Sequence, residues 1–444
     1  MEEVASTAAL ANTGLIRAIG VRALGANVVN NIIGSGIFVL PALVAATLGP
    51  AAIVAYIVCA AAAGLIGLSF AAAGSRVSAP GGTYAYAEAA FGPFVGFLTG
   101  VLFWFGSQMI SAAAIATVLA SSLALLFPAL GSATPRAAFL IFLYTGLAAV
   151  NVRGVQTGAR LMEVLTLAKI LPLVLLVVVG AFYVHPVNYA WTSTPTLTQL
   201  SSACLVLIFL FTGVEGAMTS SGEVKNPSRT VPLAILVGLG SVSALFIAVH
   251  LVAQGVLGPS LSLDQETPLA TVAATIFGPA GKVLMAVAAA VSALGFVSGD
   301  MLATPRILFA FGRDGYLPAR VGSVNPVTHT PVVAIVLEAV VTCGFAISGS
   351  FRSLVVLSTV STLFIYIVTC LAAIQLKRKN VTAGGPPFQL RGGPVVPLLA
   401  CVVIVWMLSG ATRKEFISVG ATLAAALVLY LVRAYYRPTS ALVS

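Results

Sequence analysis

The sequence predicts an all-α integral membrane protein with twelve transmembrane helices, and three observations support that prediction. Hydrophobic residues make up 59% of the 444 residues and charged residues only 8%, and the mean hydropathy is +1.07. Soluble domains carry about a quarter charged residues, so this composition cannot cover a water-facing surface. Apolar runs of the roughly 20 residues that a bilayer requires follow one another along the chain. The basic residues, finally, lie mostly on one side of those runs.

Twelve apolar runs are separated by short polar gaps, and each run is predicted to form one helix. The first six are predicted over residues 20–45, 51–73, 94–127, 137–152, 161–184 and 197–221. The second six are predicted over residues 231–256, 281–311, 331–348, 353–376, 395–409 and 415–435. Because the fourth and the eleventh are short, the distribution of charge serves as a separate check on the count.

The net charge of +10 would suit a nucleic-acid partner in a soluble protein, but its distribution favours a membrane. With the N-terminus in the cytoplasm, most basic residues fall in cytoplasmic segments and Lys169 falls within a helix. Five lie on the opposite side: Arg136, Lys282, Arg352, Arg413 and Lys414. Basic residues accumulate on the cytoplasmic side of membrane proteins. We therefore expect both termini in the cytoplasm, a multi-pass location in the cell membrane and no nucleic-acid partner.

The chain is predicted to be one membrane domain, because no polar gap exceeds about twenty residues. It divides into a cytoplasmic tail (1–19), a ten-helix core (20–376), a cytoplasmic loop (377–394), two further transmembrane helices (395–436) and a C-terminal tail (437–444). The five cysteines lie in apolar runs without CxxC spacing, so we interpret them as packing residues and expect no metal site. The N-terminus shows no signal-peptide pattern.

Two of the apolar runs are interrupted at their centres by glycine and polar residues. The first run contains Asn30 to Phe38 with two glycines, and the sixth contains Phe211 to Gly216 with a glutamate. Glycine costs a helix about 1 kcal/mol relative to alanine, and unpaired backbone groups are tolerated in a membrane only where they line a cavity. The spacing of the two interruptions indicates two five-helix repeats of opposite orientation, each with a broken first helix.

The exposed backbone at such breaks can bind a zwitterion. N–H groups at the start of a half-helix attract a carboxylate, and free carbonyls accept hydrogen bonds from an ammonium group. An α-amino acid carries both groups on one carbon. The alternative is that Gly34 and Gly36 only allow close helix packing, which the second break makes less favourable.

Several short segments resemble the amino acid, polyamine and organocation (APC) superfamily, whose members have the LeuT-type fold. The resemblance covers nearly the whole chain and is closest to bacterial amino acid permeases and the arginine/agmatine antiporter. Each segment is weak alone, but their order and spacing are specific. They cover residues 31–38 (NIIGSGIF), 80–86 (PGGTYAY), 91–94 (FGPF), 213–215 (GVE), 225–229 (KNPSR) and 313–315 (RDG).

The resemblance implies a substrate site at the two breaks. Backbone N–H groups of Ser35 and Gly36 would hold the substrate carboxylate. Three carbonyls would accept from its ammonium group, those of Ile32, Phe209 and Thr212. Phe209 is similar to the aromatic lid of the family, although a phenylalanine in a membrane helix is usually a packing residue. Ile37 is the remaining residue of the first break that is expected in the substrate site.

Two charged residues within spans are candidates for coupling and gating. Lysine at the centre of a membrane helix costs about 2.5–3.5 kcal/mol, so Lys169 requires a partner. Either it reaches the cytoplasmic surface or, as the resemblance implies, it faces the first and eighth helices. Because burial disfavours the charged form, it could then exchange a proton. Glu215 either caps the half-helix after the second break or couples occupancy to gating, and both roles can hold together.

Three further candidates come from the eighth and third helices. Asp300 occupies the position of an aromatic residue in the arginine/agmatine antiporter, which puts arginine exchange in doubt. It could pair with a basic substrate, pair with Arg306 or help to carry protons. Ser107 and Ser111 match the side-chain pocket of relatives and would leave a modest pocket, or they are small residues at a helix interface.

We expect a secondary active transporter that moves L-amino acids by alternating access, as a proton-coupled symporter or a sodium-independent exchanger. The expected partners are an amino acid, protons and the lipid bilayer, and a homodimer is left open. A polyamine or organic-cation transporter and a channel are the alternatives. An enzyme is not expected, and no cofactor is, because no phosphate-binding loop, HExxH or GxSxG pattern occurs.

Overall fold

A computed structural model of the chain describes residues 20–77, 82–153, 159–191, 194–217, 224–382, 386–390 and 392–436. The predicted tails 1–19 and 437–444, residues 80 and 81 of the second resembling segment and the last four residues of the sixth predicted helix lie outside that description. The described residues form helices and turns and contain no β-strand.

The described residues contain eighteen α-helices, numbered in chain order. In the first half they are α1 (Val21–Ile32), α2 (Leu40–Leu48), α3 (Ala52–Gly74), α4 (Thr83–Phe91), α5 (Pro93–Val101), α6 (Ile110–Ala124), α7 (Ala133–Val152), α8 (Ala159–Gly180), α9 (Leu197–Leu207) and α10 (Val214–Ala217). In the second half they are α11 (Pro227–Leu257), α12 (Pro268–Phe277), α13 (Pro279–Ala303), α14 (Pro305–Arg313), α15 (Val332–Ser348), α16 (Phe351–Arg378), α17 (Val395–Leu408) and α18 (Arg413–Tyr436).

Eight helical stretches in the described residues are long and apolar enough to cross a membrane, which confirms the all-α membrane class. They are Leu40–Gly74, Pro93–Ala124, Ala133–Val152, Leu197–Gly216, Arg229–Ser262, Pro279–Arg313, Phe351–Arg378 and Arg413–Tyr435. Four shorter apolar helices accompany them: Ala168–Tyr183, Pro268–Phe277, Val332–Ser348 and Val395–Leu408. Helices α4 and α12 are absent from the predicted set.

Small residues bring the central helices close together. Helix α11 packs against α1 and α3. A Cβ atom on Gly67 of α3 would lie 2.5 Å from the Leu239 side chain, and one on Gly238 of α11 would lie 2.6 Å from Val28 of α1. Glycine therefore sets the spacing of these three helices, as it does at many interfaces between membrane helices.

The first predicted span stops being helical close to its centre. Helix α1 ends at Ile32, Gly34 is extended with φ −98° and ψ −170°, and a 3₁₀ turn over Ser35–Phe38 leads into α2. The N–H of Gly34 donates to the carbonyl of Ile32 at 2.8 Å. The interruption falls inside the segment in which the sequence predicts it.

The sixth span has a matching interruption. Helix α9 passes through a 3₁₀ turn over Ile208–Phe211, Thr212 is extended, and Gly213 has φ +117° before α10 begins. Left-handed backbone of this kind favours glycine. A Cβ atom on Gly213 would lie 2.5 Å from the carbonyl oxygen of Asn31, at the end of α1. The two breaks therefore lie directly against each other.

Candidate functional site

The backbone at the first break presents donors without partners from their own segment. Ser35 and Gly36 begin the 3₁₀ turn, so no earlier turn of it supplies acceptors for their N–H groups. The Ser35 hydroxyl is fully buried and has no hydrogen-bond partner among the described residues. Ile37 is also fully buried. A buried hydroxyl without a partner is costly, so this position favours a bound polar group.

The second break faces the first through an aromatic ring. A Cβ atom on Gly36 would lie 3.3 Å from the Phe209 ring, and Phe209 is 8% exposed. The carbonyl of Phe209 already accepts from the Thr212 hydroxyl at 2.8 Å and from the Thr212 N–H at 3.3 Å. The structure thus brings the turn Ser35–Phe38 against the turn Ile208–Phe211, and the Phe209 carbonyl is occupied by Thr212 of its own segment.

Glu215 holds the second break in place from inside the protein. Both of its carboxylate oxygens lie 3.0 Å from the N–H of Gly213, which donates to them. The Tyr366 hydroxyl of α16 donates to Oε2 at 2.7 Å, and Glu215 is 3% exposed. The carboxylate therefore binds the backbone at the start of α10 and ties it to α16. Tyr366 was missed in the sequence because it is one tyrosine in an apolar run.

Lys169 lies against the end of α1. Its Nζ atom donates to the carbonyl of Asn30 at 2.7 Å, and the residue is 9% exposed. The last carbonyls of a helix have no intrahelical partner and carry partial negative charge, so a cation is favoured there. Helix α8, which carries Lys169, also packs against α13. The side chain is directed to the first break and not to the surface.

Ser107 and Ser111 bond to α16. The Ser111 and Ser358 hydroxyls are 2.6 Å apart, and Ser358 donates to the carbonyl of Ser107 at 3.1 Å. The Thr362 hydroxyl donates to that of Ser107 at 2.8 Å. These contacts place both serines at an interface between helices. The segment Leu102–Met109, which contains Ser107, is a π-helix, a feature that frequently marks functional sites and that hydropathy does not reveal.

Asp300 belongs to a different group of side chains. It is buried and accepts from the Thr304 hydroxyl at 2.6 Å. It also interacts electrostatically with Glu338 of α15. Arg306, the proposed ion-pair partner, is exposed. None of these contacts joins Asp300 to the two breaks.

A cavity of about 920 Å³ opens beyond the first break, on the side of α2. Its lining includes Val39 and Leu43 of the first span and Arg136 at the start of α7. Arg136 donates to the carbonyl of Thr117 at 3.1 Å and lies 3.8 Å from Glu266 in an ion pair. Val39 follows the 3₁₀ turn of the first break directly, so the cavity reaches the residue next to the candidate site.

Similarity to a known family identifies the family of this chain. The sequence profile described as amino acid permease matches residues 19–432, which is nearly the whole chain. The chain belongs to the amino acid permease family. The methylthioribose transporter of Bacillus subtilis (strain 168) is 29% identical over 409 residues, covering 87% of each chain. The cadaverine/lysine antiporter of Escherichia coli (strain K12) is 27% identical over 416 residues, covering 89% of this chain and 90% of the relative. The serine/threonine exchanger of Bacillus subtilis (strain 168) is 27% identical over 424 residues, covering 92% and 94%.

Membership of the amino acid permease family confirms the resemblance seen in the short segments. The permease is a secondary transporter and not an enzyme, since its relatives are permeases, exchangers and antiporters. Its apolar helices make it a multi-pass membrane protein.

Proposed function

We propose that this permease carries L-amino acids across the cell membrane by alternating access, with the substrate bound between the two broken helices. The observation that carries the proposal is the direct apposition of the breaks, with Gly213 against the Asn31 carbonyl and Gly36 against Phe209. In this proposal the chain has twelve spans, a LeuT-type inverted repeat and both termini in the cytoplasm.

The backbone groups at the breaks match the two charged ends of an α-amino acid. The substrate carboxylate accepts from the N–H groups of Ser35 and Gly36, and the Ser35 hydroxyl turns to it as well. The ammonium group donates to the second lone pair of the Ile32 carbonyl, which already accepts from the Gly34 N–H. It reaches the carbonyl of Phe209 once the Thr212 hydroxyl rotates away. Closure of the Phe209 ring then separates the substrate from water.

Lys169 supplies the coupling in this proposal. Its ammonium group stabilises the carbonyl end of α1 through Asn30. A neutral amine lacks the positive charge that is attracted to the negative end of the helix, so it binds the Asn30 carbonyl more weakly. Loss of the proton would therefore release α1 from α8 and allow the first break to open. This predicts coupling to protons, or exchange that does not require sodium.

Reconstituted proteoliposomes test the transport proposal directly. We expect saturable uptake and counterflow of a labelled amino acid that depends on a pH gradient, or on an internal amino acid, and not on sodium. Uptake that requires a sodium gradient and ignores pH would contradict the coupling. The Lys169→Met variant should bind substrate and lose the pH dependence, whereas Lys282→Met, at the outer end of α13, should retain it. A channel would show no counterflow.

Two relatives suggest substrates that are not α-amino acids, and a competition panel separates them. Cadaverine lacks a carboxylate and methylthioribose lacks both charged groups, so neither would use the paired N–H and carbonyl groups. We expect the twenty amino acids to include the best competitor. Competition by cadaverine or methylthioribose alone would overturn the amino acid assignment. A cationic substrate has weaker support than the sequence implied, because Asp300 bonds to Thr304 and not to the breaks.

A further inference from the structure

Two carboxylic acids lie buried on two neighbouring helices, Asp300 on α13 and Glu338 on α15. Asp300 is 6% exposed and Glu338 is fully buried. The two helices are in contact, and the side chains interact electrostatically. Two carboxylates in one apolar site repel each other, and each loses its hydration there. The site therefore needs a positive charge.

No basic side chain of the described residues supplies that charge. The described residues form two ion pairs, Arg136 with Glu266 and Arg313 with Asp314. Neither ion pair includes the buried acids. Arg306 at the start of α14 is exposed. Lys169, the basic residue of α8 with a described side chain, bonds to Asn30.

The remaining neighbouring elements offer only weak or neutral groups. Helices α6 and α12 and the segment Leu102–Met109 contain no acidic or basic residue. Tyr144 on α7 is a titratable group that interacts with both acids, and its hydroxyl donates to the carbonyl of Ala112 at 3.3 Å. In the described residues, no cluster of three or more metal-ligating side chains forms. The chemistry at hand favours a proton over a metal ion.

The hydrogen bonds distinguish the two acids. Glu338 accepts from the Trp104 indole N–H at 2.9 Å and from the Thr342 hydroxyl at 3.3 Å, one donor on each oxygen. Asp300 accepts from Thr304 on Oδ1, while Oδ2 is buried without a donor. Donors stabilise an ionised carboxylate, so the charge is better placed on Glu338.

We propose that Asp300 and Glu338 form a binding site for one proton, which resides on Asp300 while Glu338 stays ionised. The site lies within the framework formed by α6, α7, α13 and α15. It is separate from Lys169 and does not depend on the transport proposal. Loss of the proton would place two negative charges between α13 and α15, so occupancy of the site controls the contact between these helices.

Isotope-edited infrared spectroscopy tests the proposal in the unmodified protein. The chain contains three aspartates, Asp264, Asp300 and Asp314. Asp264 accepts from the Thr271 hydroxyl at 2.7 Å and Asp314 pairs with Arg313 at 2.8 Å, so donors to an ionised carboxylate are present at both. Labelling aspartate with ¹³C at the carboxyl carbon should therefore shift one carbonyl band of a protonated acid at neutral pH. Absence of a shifted band would overturn the proposal.

Two variants identify the residue that carries the proton. Asp300→Asn should remove the band, and Tyr144→Phe, which keeps both acids, should retain it. Glu338→Gln removes the repulsion between the acids, so the band should disappear at a less alkaline pH than in the wild type. In unlabelled protein, a protonated-acid band that survives in Asp300→Asn and disappears in Glu338→Gln would place the proton on Glu338 and overturn the assignment. The labelled wild type remains informative where a variant fails to fold.

Discussion

Gly213→Ala should abolish transport by separating the two broken helices. The residue has φ +117°, where a residue with a side chain is strained by about 1–3 kcal/mol. The new methyl group would lie 2.5 Å from the Asn31 carbonyl oxygen and 2.8 Å from its carbon. Because both are backbone atoms, the end of α1 must move, and overpacking of this kind costs about 1–3 kcal/mol.

The two effects together reach roughly 2–6 kcal/mol, which is about 30-fold to about 10⁴-fold in the population of the arrangement with apposed breaks. Uptake of labelled amino acid by proteoliposomes should therefore fall below detection, while size-exclusion profiles in detergent still show a folded protein. The substitution should disturb the contact between the two breaks and leave the surrounding helices folded, because Glu215 and α16 hold the second break from the other side.

Two other glycines give a graded comparison. A Cβ atom on Gly36 would lie 3.1 Å from the Leu210 side chain and 3.3 Å from the Phe209 ring, and both side chains can shift. Gly36→Ala should therefore reduce uptake partially. Gly344→Ala adds a methyl group to open space on α15 and should leave uptake unchanged. If Gly213→Ala transported as well as Gly344→Ala, the apposition of the breaks would not matter for transport.

Three further substitutions test contacts around the site. Tyr366→Phe removes the hydroxyl bonded to Glu215 and should lower the free energy of unfolding by about 1.5–3 kcal/mol, measured by thermal denaturation in detergent; unchanged stability would contradict the bond. Gly106→Ala would place a methyl group 2.6 Å from the Ser361 Cβ atom and should destabilise the protein by about 1–3 kcal/mol; the double variant with Ser361→Gly should recover stability. Arg433→Gln removes a guanidinium that lies 4.2 Å from the centroid of the Tyr316 ring and should lower the free energy of unfolding by about 1 kcal/mol. Arg433→Lys keeps a cation at that position and should lower it less.

Hydropathy predicted the helical membrane class, and glycine position predicted where the helices are interrupted. The break in the first span lies within the predicted segment because glycine and asparagine weaken a helix at a depth where apolar residues are otherwise continuous. Helices α4 and α12 were missed because nine and ten residues are too few for a spanning signal. Their apolar residues serve packing within the protein, which a search for bilayer-length runs does not detect.

The direction of a side chain was the least predictable property. Ser107 and Ser111 are four residues apart, so they share one helix face, and that face lies against Ser358. Alignment with relatives gives the depth of such residues in the membrane but not the neighbour they meet, because each step along a helix turns the side chain by about 100°.

Asp300 and Lys169 show why a charge in a membrane helix predicts a partner without identifying it. The cost of burial demands some compensation at both positions. For Lys169 the compensation is the carbonyl of Asn30, and every residue has a carbonyl, so no sequence pattern could mark this one. Asp300 is buried, and the charged group that acts on it is Glu338, another acid 38 positions later in the chain. A search of the sequence for an opposite charge finds Arg306 instead, which is exposed. The proposed compensation is a proton, and a bound proton leaves no mark in the sequence.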